Sequence, residues 1–181
     1  EAMKKWLSNK GLSPDKIELI SIAAGGDLER ANDLISDTQV ASRYELWKET
    51  PKNIGSEGYK IAVVVDEIQK VIDQAQEGII LRHQEESEAL GELEKQMGIR
   101  GSGRKELEAK HKREIRRFRT DELQFGLSII ANLYKEELVE TPNSSNIRAI
   151  EKIRSTMVTL GRNPNEKLLL QSLFISLSEF K

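Results

Sequence analysis

The sequence predicts an all-α protein: a small helical unit over residues 1–37, then a helical bundle over 38–181 that contains a long antiparallel helix hairpin. Three observations carry this. Alternation of apolar and polar residues, the signature of a half-buried strand, is nearly absent. Apolar residues recur instead at intervals of three and four. Between these periodic runs stand N-cap residues, prolines and glycines where helices start and stop.

Each element follows from local signals. Trp6 and Leu7 end a short first helix that stops near Gly11. Ser13-Pro14-Asp15 reads as an N-cap with proline at the first helical position. The helix it opens carries Ile17, Ile20 and Ala24 on one face and ends at Gly25-Gly26. Asp27 caps the next short helix, whose expected buried stripe is Leu28, Ala31, Leu34 and Ile35. Val40, Tyr44 and Trp47 keep helical spacing before an expected break at Thr50-Pro51 and Gly55–Gly58.

The longest periodic run is Ile61, Val64, Val65, Ile68, Val71, Ile72, Ala75 and Ile79. Were 59–97 one straight helix, it would be about 58 Å long, with Gly78 and Gly91 as points of bending or interruption. GIRGSG, residues 98–103, forms the turn. A second long helix is expected over roughly 104–139, with Leu107, Ile115, Phe118, Leu123, Leu127, Ile130, Tyr134 and Leu138 as its stripe. The two helices are expected to lie antiparallel. Thr141-Pro142-Asn143-Ser144 ends the second. Helices near 145–160 and 165–180 follow, joined by a turn in which Gly161 suits a left-handed C-cap position.

A chain of 181 residues can bury a core without staples. It has no cysteine, so disulfide and thiolate chemistry are excluded. The formal net charge of −2 means that any nucleic-acid contact comes from a local patch. No apolar run approaches the roughly 20 residues of a membrane span, and residues 1–10 lack the apolar segment of a signal peptide. These features predict a cytoplasmic protein with no membrane partner. The chain opens at Glu1 with its first methionine at Met3, which predicts a piece of a longer protein.

Signals for chemistry are negative. There is no GxxxxGK[ST] phosphate loop, and Gly25-Gly26 is not a GxGxxG. His83 and His111 have no cysteine or helical-spaced histidine for a metal, and each lies in a highly charged stretch, where a solvated position is expected. Neither a catalytic residue nor a cofactor is therefore expected.

Two features bear on binding. The first is the basic run 110–119, in which Lys112, Arg113, Arg116 and Arg117 are the candidate phosphate contacts. The competing reading is neutralisation by Glu85, Glu86, Glu88, Glu92 and Glu94 across the hairpin. With a turn near 100–101, Glu88 would face Arg113 and Glu85 would face Arg116. The second is the last helix, LLLQSLFISLSEF, apolar nearly all round. Leu169, Leu170, Leu173, Phe174 and Leu177 are either a subunit interface or a deeply buried core. Trp6, Tyr44 and Trp47 are likewise interface anchors or core aromatics.

Three stretches resemble one family. Residues 105–123, KELEAKHKREIRRFRTDEL, with 124–138 after them, are similar to the long collar helix of delta-prime subunits of the bacterial DNA polymerase III clamp loader, particularly the actinobacterial type. Residues 160–173, LGRNPNEKLLLQSL, resemble that family's closing motif, a turn with paired asparagines followed by an apolar helix. Residues 23–31, AAGGDLERA, look like the end of the small helical lid of an AAA+ ATPase module. The resemblance implies a lid remnant over 1–37 and a collar, or oligomerisation, domain over 38–181. It implies motor subunits and delta as partners in a hetero-pentamer, and indirect association with primed DNA and the sliding clamp. The family's arginine finger lies in an N-terminal module that these 181 residues do not include. Where motor subunits place an ATP-sensing arginine, this chain has Glu29, with Arg30 displaced by one. A carboxylate repels phosphate, which implies a non-hydrolysing subunit and puts a nucleotide role for Arg30 in doubt.

Overall fold

The computed structural model describes residues 2–55, 57–98, 101 and 103–180. All regular structure among them is α-helical. The helices are α1 (Ala2–Ser8), α2 (Pro14–Ala24), α3 (Leu28–Ser36), α4 (Val40–Asn53), α5 (Gly58–Ala75), α6 (Glu77–Met97), α7 (Arg104–Glu140), α8 (Ser144–Leu160) and α9 (Glu166–Ser178).

Caps account for most boundaries. The Ser13 side chain accepts from the Lys16 amide with Pro14 at the first position of α2, and Gly25 closes that helix in the left-handed region at φ 57°. Asp27 accepts from the amides of Glu29 and Arg30. Asn143 and Asn165 cap α8 and α9 by accepting from Asn146 and Leu168. The turn before α9 departs from expectation. Gly161 is right-handed at φ −62°, and Asn163 takes the positive φ, 56°. Asparagine tolerates that region, so the two asparagines divide the work: Asn163 reverses the chain and Asn165 caps the next helix.

Two further boundaries differ from the sequence reading. α4 runs through Pro51 to Asn53. Proline lacks an amide, but so near the C-terminus it forfeits only one bond of the last turn. Buried Thr50 remains helical and donates its hydroxyl to the Leu46 carbonyl at 2.8 Å. The long run beginning at Ile61 forms two helices, α5 and α6, which part at Gln76 (φ −87°, ψ −5°), two residues before Gly78.

The second half of α7 is the centre of the molecule. Leu123, Phe125, Gly126, Leu127, Ile129 and Ile130 are all buried, so this segment is enclosed on most sides. It packs against α8, α4 and α2, while α9 packs on α5 and α8. Ile20, Ala23, Ala24, Ala31 and Leu34 of α2 and α3 belong to the same continuous core. Leu28, placed in the α3 stripe by spacing, is 52% exposed at the helix start.

α6 lies apart from this core. Its buried residues are His83 and Glu94, and none of its apolar side chains is buried. It is tied to α7 by charge. Arg104 pairs with Glu94, Lys110 and His111 with Glu86, and Arg82 and His83 with Glu114. Partner numbers rise on α7 as they fall on α6, so the two run antiparallel. The expected pairs Glu88–Arg113 and Glu85–Arg116 are not formed; the register is displaced by about one helical turn. α6 ends at Met97, closed by Gly98 in the left-handed region at φ 66°, and α7 begins at Arg104, as the spacing predicts. The displacement is an offset of the two helices along their axes, since Arg104, the first residue of α7, pairs with Glu94, about one turn back from the end of α6.

Candidate interaction surfaces

On α9, Leu170, Leu173, Phe174 and Leu177 are completely buried within the chain's own core, and Leu169 is half-buried against it. These four buried side chains are inaccessible to a partner of the folded chain. The face of α9 that meets solvent carries Leu168 at 63% and Ile175 at 47% exposure. They are seven residues apart and share one side of the helix. The Arg148 guanidinium lies 5.2 Å from the Phe180 ring centroid, so the start of α8 sits beside the end of α9. The opposite ends meet at the 161–165 turn, where Val158 is 64% exposed.

The basic half of α7 divides into two sets. Arg104 pairs with Glu94, Lys110 with Glu86, and Arg117 with Asp27, Glu29 and Asp121. Arg119 is held at the junction of three helices by Glu166 at 2.8 Å, Asp73 and Gln69. Burial pushes the Arg119 guanidinium down, but Glu166 and Asp73 outweigh it and raise it. Lys112, Arg113 and Arg116 are exposed and, with Lys105, have no ion-pair partner among the described residues. Of the four candidate phosphate contacts, Arg117 is thus engaged and the other three are not.

A buried carboxylate organises the other side of α7. Glu122 is fully inaccessible. It accepts from Arg30 Nη2 at 2.7 Å and from Arg43 Nε at 2.8 Å. Arg43, itself 2% exposed, also donates to Asp37. Arg30 Nε donates to the Ala23 carbonyl at 2.8 Å. Burial pushes the Asp37 carboxyl up, but the hydrogen bond and charge of Arg43 outweigh it and hold it below its ordinary value. Asp121, beside this network, is raised by its burial despite Arg30 and Arg117. Spacing alone passed over this group. Its trace in the sequence is an acid and a glycine on the four-residue ladder Phe118, Glu122, Gly126, Ile130.

The two histidines are enclosed between α6 and α7, contrary to the solvated positions expected of them. Their rings stack with centroids 3.8 Å apart and planes 9° from parallel. His83 Nε2 lies 2.9 Å from Glu114 and His111 Nε2 lies 3.0 Å from Glu86, each carboxylate coming from the opposite helix. The His111 bond, with that of Lys110, brings the Glu86 carboxyl down to about 2. Burial raises Glu114, but the His83 bond and the Arg82 charge outweigh it. No cluster of three or more metal-ligating side chains occurs among the described residues.

Of the aromatic candidates, Trp47 is core, 1% exposed and laid against Gly126. Tyr44 is half-buried beside Phe125, with centroids 6.5 Å apart, and Trp6 packs at the edge of the core under Lys10. A cleft of about 810 Å³ opens between α3, the α5–α6 junction and α7. Its floor includes Leu34, Ile79 and Phe118, and its rim carries charges of both signs, among them Asp33 and Arg113. No described helix is long and apolar enough to cross a membrane.

Comparison with known proteins finds no matching family model, no similar curated protein and no similar solved structure.

Proposed function

We propose that this chain is a non-catalytic assembly region of a bacterial clamp loader of the delta-prime type, with a lid remnant over 1–37 and a collar domain over 38–181. The observation that carries the reading is the order of three motifs along the chain: AAGGDLERA at 23–31, KELEAKHKREIRRFRTDEL at 105–123 and LGRNPNEKLLLQSL at 160–173. Its work is binding. The chain would join motor subunits and a delta subunit in a cytoplasmic hetero-pentamer that places the sliding clamp on primed DNA. Arg30 and Glu29 are engaged with Glu122 and Arg117 respectively, which agrees with a subunit that uses neither against nucleotide.

The apolar side chains exposed for assembly on the last helix are Leu168 and Ile175, and Val158 is exposed near the end of α8. Apolar burial stabilises association by about 25 cal/mol per Å². The test is size-exclusion chromatography with light scattering, on the chain alone and mixed with the collar regions of candidate loader partners. A discrete hetero-oligomer is expected, weakened at least tenfold by Leu168→Asp with Ile175→Asp while thermal unfolding is unchanged. Assembly indifferent to both substitutions would remove α9 from the interface, and a chain that stays monomeric with every partner would remove the assembly reading. Phe174→Asp is unsuitable, because Phe174 is completely buried and its loss tests folding.

A further inference from the structure

We infer that the first half of α7 carries a binding face for the phosphate backbone of duplex nucleic acid, formed by Lys105, Lys112, Arg113 and Arg116. This inference does not depend on the assembly reading. Eight cations occur between Arg104 and Arg119. Arg104, Lys110, Arg117 and Arg119 are engaged by acids of α6, α3, α5 and α9. The remaining four are all exposed and have no acidic partner among the described residues.

Their spacing places them together. Lys105, Lys112 and Arg116 stand seven and four residues apart, on one side of the helix, and Arg113 flanks them toward the cleft, whose rim it forms. From 105 to 116 the face is about 16 Å long at 1.5 Å per residue. Against one strand of a duplex that length spans about five phosphates at about 3.4 Å of rise each. Glu106 and Glu108 border the face, which limits it to a stripe.

What the face lacks selects the partner. The one large apolar side chain exposed on α7 among the described residues is Val139, at its far end. A membrane-surface helix needs an apolar side to enter the acyl boundary, and a protein interface needs a desolvated anchor at its centre. A single strand needs aromatic platforms, and Phe118 is half-buried against the core. Charge without apolar or aromatic company suits a backbone read by charge alone, without sequence preference. The net charge of −2 leaves the rest of the molecule acidic, so that it would approach a polyanion with this face first.

The experiment is fluorescence anisotropy of a labelled duplex of about 30 base pairs, titrated with the 181-residue chain between about 50 and 200 mM salt. Three to four phosphate contacts predict a slope of log K against log salt of about −3 to −4, or roughly a hundredfold loss of affinity over that range. Lys112→Gln/Arg113→Gln/Arg116→Gln is expected to weaken binding at least tenfold and flatten the slope to about −1, with the circular dichroism spectrum unchanged. Lys135→Gln/Lys152→Gln, removing exposed lysines elsewhere, is expected to change affinity less than threefold. Any one of three results would overturn the assignment: no binding at the lowest salt, equal loss in both variants, or equally effective displacement of the duplex by polyglutamate. Should the triple variant fail to fold, Arg113→Gln and Arg116→Gln made singly keep the test open, each expected to lower the slope by about one.

Discussion

At Gly126 the backbone of α7 lies against the face of the Trp47 indole, and a Cβ there would overlap the ring. Glycine in a helix interior costs about 1 kcal/mol relative to alanine, and here that cost admits a large aromatic side chain to the centre of the core. Gly126→Ala would regain the helix propensity but force a rigid, fully enclosed ring to move. Overpacking of this kind costs about 1–3 kcal/mol and at times more. The expected outcome is a net destabilisation of about 2 kcal/mol, seen as a lower urea midpoint with an unchanged m-value. A midpoint equal to or above that of the parent chain would mean that Trp47 has room to shift.

α6 is the element whose attachment differs in kind from the rest. The other long helices bury apolar stripes; α6 leaves Leu81, Leu93 and Met97 exposed and is joined to α7 by ion pairs and the stacked histidines. Exposed or half-exposed pairs contribute little each and are screened by salt. Hydrogen exchange read by mass spectrometry should therefore show α6 amides exchanging well before those of 122–130 in α7, with the gap widening as salt is raised. Acid acts on the same contacts. Glu86, depressed from 4.5 to about 2, supports the α6–α7 pairing above pH 4.5, and that support is lost as pH falls toward 2. Protection of α6 that is insensitive to both salt and acid would show that apolar packing holds it after all.

For the whole molecule, Glu122 ties the small N-terminal helices to the bundle. Through Arg30 it holds α3, through Arg43 it holds α4, and it sits itself on α7. Removing one member of a buried ionic group leaves its partners uncompensated, at a cost of about 3–5 kcal/mol. Glu122→Gln keeps the shape and loses the charge, leaving Arg43 with Asp37 as its remaining carboxylate. Calorimetry is expected to show one transition for the parent chain, because residues of α2 and α3 share its core. The variant should lose about 3 kcal/mol in stability. A loss under about 1 kcal/mol would mean that the arginines find water or other acceptors on relaxation.

The sequence by itself determined the helical class, the caps at Ser13 and Asp27, and the buried ladder Ile61, Val65, Ile68, Ile72, because these depend on side chains within one or two turns of each other. It also marked the basic run of α7. Only the tertiary structure decided which of those cations are consumed. Arg117 and Arg119 meet acids from α3, α5 and α9, separated from them by many residues, and no local periodicity encodes such encounters. The same holds for Glu122, for the histidine stack and for the one-turn displacement of the α6–α7 register. The last helix makes the point for apolar residues. Its composition told that it would be covered, but which of Leu168, Leu170 and Ile175 faces inward was settled by where α5 and α8 lie against it, since burial belongs to the packed neighbour as much as to the side chain.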